Sequence, residues 1–295
     1  MTEEKNNKYR EIFASSHINF LFGAGVNGGA FKQLSNFIKT LEVLKDVSGI
    51  GLEEKLNNAE DNLKLTAINE FCNEFNEFYG TLDFEHESIK HIKELFFNVN
   101  KVIEKTENRN ESMKKVNIFT LNYDSIIEEV LSELGYFNTC ITVKRLETIA
   151  VFDIIGHNLE TKRQVPTYCI AKLHGSINKG KITSEDIIYP GLSKYSKTLD
   201  ADFFQVLFKM KSELMRFNSL LIVIGYSGFD EHINRLIRES INNGLTVLWF
   251  KFNKDDSDEN IVSISNKIII IEPTKDKNKQ DTTLTCATLI TEEVL

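Results

Sequence analysis

The sequence predicts an α/β protein, a parallel sheet with helices on both faces and an inserted helical subdomain. Three observations point there. Short, mainly apolar runs recur at 18–22 (INFLF), 116–121 (VNIFTL) and 220–224 (LLIVI), as strands buried on both faces require. Stretches with apolar residues at helical spacing lie between them, which is the order of crossover connections on a parallel sheet. Polar or glycine clusters follow several of the runs at once, and the C-terminal strand ends of such a sheet form one rim where ligands bind.

The run at 18–22 enters Gly23-Ala24-Gly25, a tight turn, and Phe31, Leu34, Phe37, Ile38 and Leu41 then recur at helical spacing. Strand, glycine turn and helix open a Rossmann-like nucleotide-binding unit. From about 52 to 106 the pattern is helical throughout. Ile68, Phe71, Cys72, Phe75, Phe78 and Tyr79 fall on one face, as do Ile89, Ile92, Leu95, Phe96, Val99, Val102 and Ile103 of a second helix. Residues 51–115 are therefore expected to be a helical insertion in a domain made of 1–50 and 116–295. The phenylalanine stripe reads as core packing, and His86 and His91 as surface.

Strand character returns at 116–121 and ends in Asn122-Tyr123-Asp124. Ser125 stands three residues before Glu128, the spacing of a capping box, and Ile126, Ile127, Val130, Leu131 and Leu134 supply a helix face. Strands are expected at 140–143 and at 168–173, the latter ending in His174-Gly175-Ser176. A helix carrying Phe203, Leu207, Met210, Leu214 and Phe217 leads to the strand at 220–224 and to Gly225-Tyr226-Ser227-Gly228. Asp230 suits the N-cap of a helix bearing Ile233, Leu236, Ile237 and Ile241. Strands at 245–252 and 268–271 follow. The tail from 274 shows no assignable period.

Composition excludes several classes. The formal net charge of −8 disfavours a sequence-specific nucleic-acid binder, which needs a basic face. The four cysteines, Cys72, Cys140, Cys169 and Cys286, form no C-x-x-C pair, so neither a disulfide framework nor a zinc module is expected. No segment is apolar enough to span a bilayer, and the polar N-terminus lacks a signal-peptide core, so the cytoplasm is the expected location.

The clusters that could carry chemistry are those of the rim. Gly23, Ala24 and Gly25 allow a phosphate to approach backbone N–H groups, or make a plain tight turn. The sequence lacks the G-x-x-x-x-G-K-[ST] pattern of a P-loop. Asp124 reads equally as a helix cap. Asn122 sits too early for that, and its amide can hold a water or a ribose hydroxyl. His174 is either a general base near neutral pH or a structural histidine. The remaining histidines, His232 among them, show no metal-ligand spacing, and no metal is expected.

Taken in order, these motifs resemble the sirtuin superfamily. Gly23-Ala24-Gly25 resembles its phosphate loop, Thr120-Leu121-Asn122-Tyr123-Asp124 its T-x-N-x-D motif, Leu173-His174-Gly175 its L-H-G motif, and Gly225-Tyr226-Ser227 its late G-x-S loop. The resemblance covers roughly 18–250. The chain departs from the deacylases in lacking the cysteine pairs and in carrying Val26-Asn27-Gly28-Gly29 after the first loop. The loop from Gly225 to Asp230 looks like that of sirtuin-like domains in bacterial anti-phage defence.

That resemblance implies NAD⁺ as substrate and its hydrolysis to nicotinamide and ADP-ribose. Asn122, His174 and Asp124 would be catalytic. Gly23, Ala24, Gly25, Asn27, Thr120, Gly225, Tyr226, Ser227 and Asp230 would contact the dinucleotide. It further implies a homo-oligomer or a separate partner such as a HerA-type ATPase. The alternatives are a deacylase or ADP-ribosyltransferase using the same site, and a subunit that binds NAD⁺ without cleaving it.

Overall fold

A computed structural model describes residues 2–31, 36–105, 109, 111–141, 157–158, 163–164, 167–176, 201–274 and 277–295. Its centre is a seven-stranded, wholly parallel sheet. The strands are β1 (His17–Phe22), β2 (Lys115–Thr120), β3 (Phe137–Ile141), β6 (Thr167–Lys172), β7 (Ser219–Ile224), β8 (Thr246–Phe250) and β9 (Ile269–Ile271), and they lie in the order β3-β6-β2-β1-β7-β8-β9. Two short strands, β4 (His157–Asn158) and β5 (Arg163–Gln164), pair separately. β2, β6 and β7 are buried along their whole length, which is why apolar residues predominate in them.

Side-chain alternation divides the core in two. Phe20 and Phe22 of β1, Ile118 of β2 and Ile170 of β6 point to one face. There they meet α4 (Asp61–Gly80), α5 (Glu87–Lys105), α6 (Ile126–Glu133) and α10 (Thr282–Leu289). Leu21, Phe119, Ala171 and Val223 point to the other face, against α7 (Ala201–Leu214), α8 (Glu231–Asn242) and α9 (Glu259–Ile264). Among the described residues the remaining α-helices are α1 (Thr2–Ser15), α2 (Ile38–Val43) and α3 (Gly51–Asn58).

The helices of 51–105 share the core of the sheet. The Phe96 ring of α5 stands edge-on to both Phe20 and Phe22, at 6.2 Å from each. Phe71 and Phe75 of α4 are buried, as a core stripe should be, and both meet Tyr123 edge-on, at 6.1 and 6.3 Å. The helical segment thereby holds the loop that follows β2.

Three local expectations are corrected, and the unassigned tail gains a helix. The glycine turn does not run into a long helix: a single 3₁₀ turn, Ala24–Asn27, follows it, and the helix containing Leu41 begins only at Ile38. Its N-terminus is held instead by the buried Glu74 of α4, which accepts from Lys39 N and Thr40 N at 3.0 and 2.7 Å. β3 starts at Phe137, three residues before the expected strand, whose last two positions lie outside the described residues. The tail contains α10, capped by Asp281 through Thr283 N and Leu284 N. The capping box at Ser125 is absent: the Ser125 side chain makes no cap bond, and Glu128 is drawn to buried Lys172 at 3.0 Å. A fully buried ammonium needs a counter-charge, and Asp124 serves the start of α6 by accepting from Ile126 N in place of the box.

Candidate functional site

Register brings the four clusters to consecutive strand ends. Phe22 is paired with Thr120 and with Ile224, and Thr120 with Lys172. Two residues beyond those pairs stand Asn122 and His174 on neighbouring strands; one residue beyond stand Gly23 and Gly225. Leu121 N still donates to Phe22 O at 3.0 Å, and Leu173 N to Thr120 O at 2.9 Å, so the ladder runs on into the loops. The chain turns from β1 to β2 on one side and reaches β7 on the other, the switch point where open α/β sheets bind ligands.

The two glycine loops interlock. Gly23 N donates to Ile224 O and Gly25 N to Gly225 O, each at 3.0 Å. A Cβ on Gly225 would lie 2.2 Å from Val26 N, and one on Gly23 2.4 Å from Gly225 O. Both positions must be glycine because backbone packs directly on backbone. This changes the expected role of the turn: the N–H groups of Gly23 and Gly25 are engaged by the β7 loop, leaving Ala24 exposed at the tip.

Asn122, buried, donates through Nδ2 to Gly23 O at 3.2 Å, and its own N–H is accepted by Thr120 Oγ1 at 3.0 Å. Thr120 is thus a brace beneath Asn122 with no exposed surface of its own. Asp124 accepts from Asn27 Nδ2 at 2.8 Å and from Ile126 N at 3.1 Å, an Asx-type turn that starts α6. Burial pushes the Asp124 carboxyl up, against the Lys172 charge and these hydrogen bonds. Lys172 donates to the Asp124 carbonyl and pairs with Glu128. Burial works against its ammonium, but Glu128 and Asp124 outweigh it and raise the Lys172 pKa. The oxygen of the same Asn27 amide, Oδ1, is buried and has no hydrogen-bond partner.

His174, 4% exposed, sits just beyond β6, where Gly175 takes the left-handed conformation at φ 86°. Its Nε2 lies 3.5 Å from Nε2 of His232, in the first turn of α8. The Asp230 carboxylate completes the group, with one potential ligand atom from each of the three residues within 4.8 Å of the others. His232 escapes sequence reasoning because 58 residues separate it from His174 and no local spacing links them. Asp230 occupies the N-cap position of α8, yet its side chain makes no cap bond there. The Tyr226 hydroxyl accepts from Asp230 N at 3.0 Å instead.

The Tyr226 side chain is turned inward. Its hydroxyl donates to Asn234 Oδ1 at 2.9 Å and its ring packs on Trp249, so only its backbone is left for a ligand. Ser227 is exposed. Below the first loop, Thr283 Oγ1 donates to Val26 O at 3.4 Å, and Ser88 Oγ accepts from Gly29 N at 3.3 Å. His91, expected at the surface, is mostly buried and lies 3.2 Å from Asp281. It serves the cap of α10, which the unassigned tail had hidden.

The chain is similar to known proteins in family and in fold. The family described as SIR2-like domain matches residues 116–270; the first glycine loop precedes that segment. Comparison with curated proteins gives no match. A solved structure from a study of sirtuin substrate affinity aligns with TM-score 0.50 and 12% identity, over 97% of this chain and 98% of that one. Another, from work on the mechanism and regulation of Sir2 enzymes, has TM-score 0.49 and 12% identity, over 98% and 97%. With more than half of its 295 residues matched, and with the strand-end loops ordered as above, this chain belongs to the SIR2-like domain family.

Proposed function

We propose that this chain is an NAD⁺ glycohydrolase, releasing nicotinamide and ADP-ribose. One observation carries the reading: an imidazole and a carboxamide, His174 and Asn122, follow adjacent paired strands at the same height, beside the interlocked glycine loops. A dinucleotide needs that combination. Closely approachable backbone suits its diphosphate, an amide its ribose, and an imidazole the attacking water.

In this mechanism Ala24 and Ser227, exposed at their loop tips, hold the diphosphate. Asn122 orients the ribose and the water. The orphaned Asn27 Oδ1 is an acceptor for a hydroxyl of the substrate. The bond between ribose C1′ and the nicotinamide nitrogen breaks, and its electron pair returns to the ring as neutral nicotinamide leaves. Water adds at C1′ and its proton passes to His174. Asp124 orders the loop through Asn27 and Ile126, and Thr120 positions Asn122.

The resemblance of the loop at 225–230 to anti-phage defence proteins supports an effector role, with turnover controlled by self-assembly or by a HerA-type ATPase partner. The test is mass-spectrometric product analysis of the purified chain, alone and with such a partner, given NAD⁺ and an acyl-lysine peptide. Equal amounts of nicotinamide and free ADP-ribose are expected. O-acyl-ADP-ribose in their place, or undiminished turnover by folded His174→Ala and Asn122→Ala variants, would overturn the reading.

A further inference from the structure

We infer that His174, Asp230 and His232 form a binding site for a divalent transition metal of the zinc class. The site rests on the side-chain arrangement alone and goes beyond the NAD⁺ reading. Three residues from two separate elements converge: His174 from the end of β6, and Asp230 and His232 from the start of α8. Two imidazoles and one carboxylate are a donor set that zinc and its neighbours favour.

The spacing fits that chemistry. Two nitrogens bound at about 2.0–2.1 Å to one tetrahedral zinc lie about 3.3–3.4 Å apart. The two Nε2 atoms are 3.5 Å apart, and the rings are tilted by 40° with their centroids at 5.6 Å, so nitrogen faces nitrogen without ring stacking. The behaviour of Asp230 is the second observation. At an N-cap position an aspartate ordinarily turns back onto the helix N–H groups. Here that bond is not made, Tyr226 serves the Asp230 amide, and the carboxylate lies with the two imidazoles. Among the described residues the site offers three protein ligands, and a tetrahedral ion takes four.

A consequence follows for the proposed reaction. Nε2 of His174 has one lone pair, so a metal ion held there excludes that nitrogen from accepting the proton of water. Metal occupancy and turnover are then alternatives. This consequence rests on the NAD⁺ reading; the site does not.

The experiment is titration of the full chain, freed of metal by chelator, with cobalt(II) alone, followed by its visible d–d absorption and by native mass spectrometry. One ion per chain with tetrahedral bands is expected. His232→Ala should weaken binding by more than the about 10–100-fold that loss of an outer-shell partner costs. Asp230→Asn is the second variant should the first fail to fold, and thermal melting checks both. Absence of the bands in the folded wild type, or bands unchanged in the folded variants, overturns the site. Zinc is then titrated into an NAD⁺ assay, where loss of nicotinamide release in step with site filling is expected. Release that is unaffected at saturation overturns the exclusion of His174. A chain that binds cobalt but never cleaves NAD⁺ sinks the functional reading and leaves the site standing.

Discussion

Asn27 donates to the Asp124 carboxylate at 2.8 Å across 97 residues of sequence, joining the loop after β1 to the loop after β2. Asp124 is in turn held by Ile126 N and, through its carbonyl, by Lys172. Three strand ends, β1, β2 and β6, are thus fixed to one another by buried polar groups before any ligand arrives. Preorganisation of this kind is what lets a site act on a substrate without reorganising at the moment of reaction.

His174→Ala is expected to lower nicotinamide release by about 10²–10⁴-fold, the usual worth of a positioned proton acceptor, and Asn122→Ala by about 10²-fold, the cost of losing the group that orients water and ribose. Both side chains lie in loops beyond the strands, so the thermal midpoint should move little. Steady-state NAD⁺ kinetics beside a melting curve on each variant decide the matter; a matching loss of fold would remove the catalytic assignment.

Gly225→Ala should cost about 2–5 kcal/mol, combining left-handed strain with overpacking. Gly225 has φ 65°, and its added Cβ would strike Val26 N and Gly25 C. Gly244 is the control: its φ is 99°, but nothing lies within 4 Å of its added Cβ. Gly244→Ala should therefore show the strain alone, about 1–2 kcal/mol. Equal losses in urea unfolding would mean that the interlock of the glycine loops contributes nothing.

Lys172→Met is expected to destabilise by about 3–5 kcal/mol, because Glu128 and the Asp124 carbonyl lose the cation they were folded around. Adding Glu128→Gln should recover part of that loss, since the buried charge is then removed as a pair. A double variant no more stable than the single one in urea titration would show that the pair is not coupled.

Stability should decline on acidification in two stages. Burial and the Arg216 charge, with smaller effects from Arg109 and Lys115, lower the His17 pKa from 6.5, while Glu213 opposes them. A depressed value means that the folded state resists protonation, so this contribution is present above about pH 6.5 and is lost as pH falls through the folded value. Glu213 is penalised by burial, but its 2.7 Å pair with Lys115 and the charges of Arg216 and Lys209 lower its pKa from 4.5. Its share is lost at lower pH still. In denaturant titrations, His17→Asn should flatten the first stage only; an unchanged slope between pH 7 and 5.5 would rule His17 out.

The sequence by itself determined the sheet and the composition of the rim. Runs such as 220–224 are apolar at every position because parallel strands are covered on both faces, and that pattern needs no distant partner to be read. The motifs at Gly23, Asn122, His174 and Gly225 were legible for the same reason: each follows its strand directly, and parallel strands end on one side. The tail was not legible, since TTLTCATL at 282–289 has no apolar stripe and is a helix only because Asp281 caps it and the core receives it.

Tertiary structure alone decided which polar groups meet. The contacts of Asn27 with Asp124, Lys172 with Glu128, and His174 with His232 join residues far apart in sequence, and each depends on strand register and helix placement. It also decided that the first glycines serve mainly to let two backbones touch. Local pattern records which face of an element is apolar; it carries no information on the few ångströms between side chains of different elements, and that distance sets hydrogen bonding, charge pairing and metal binding.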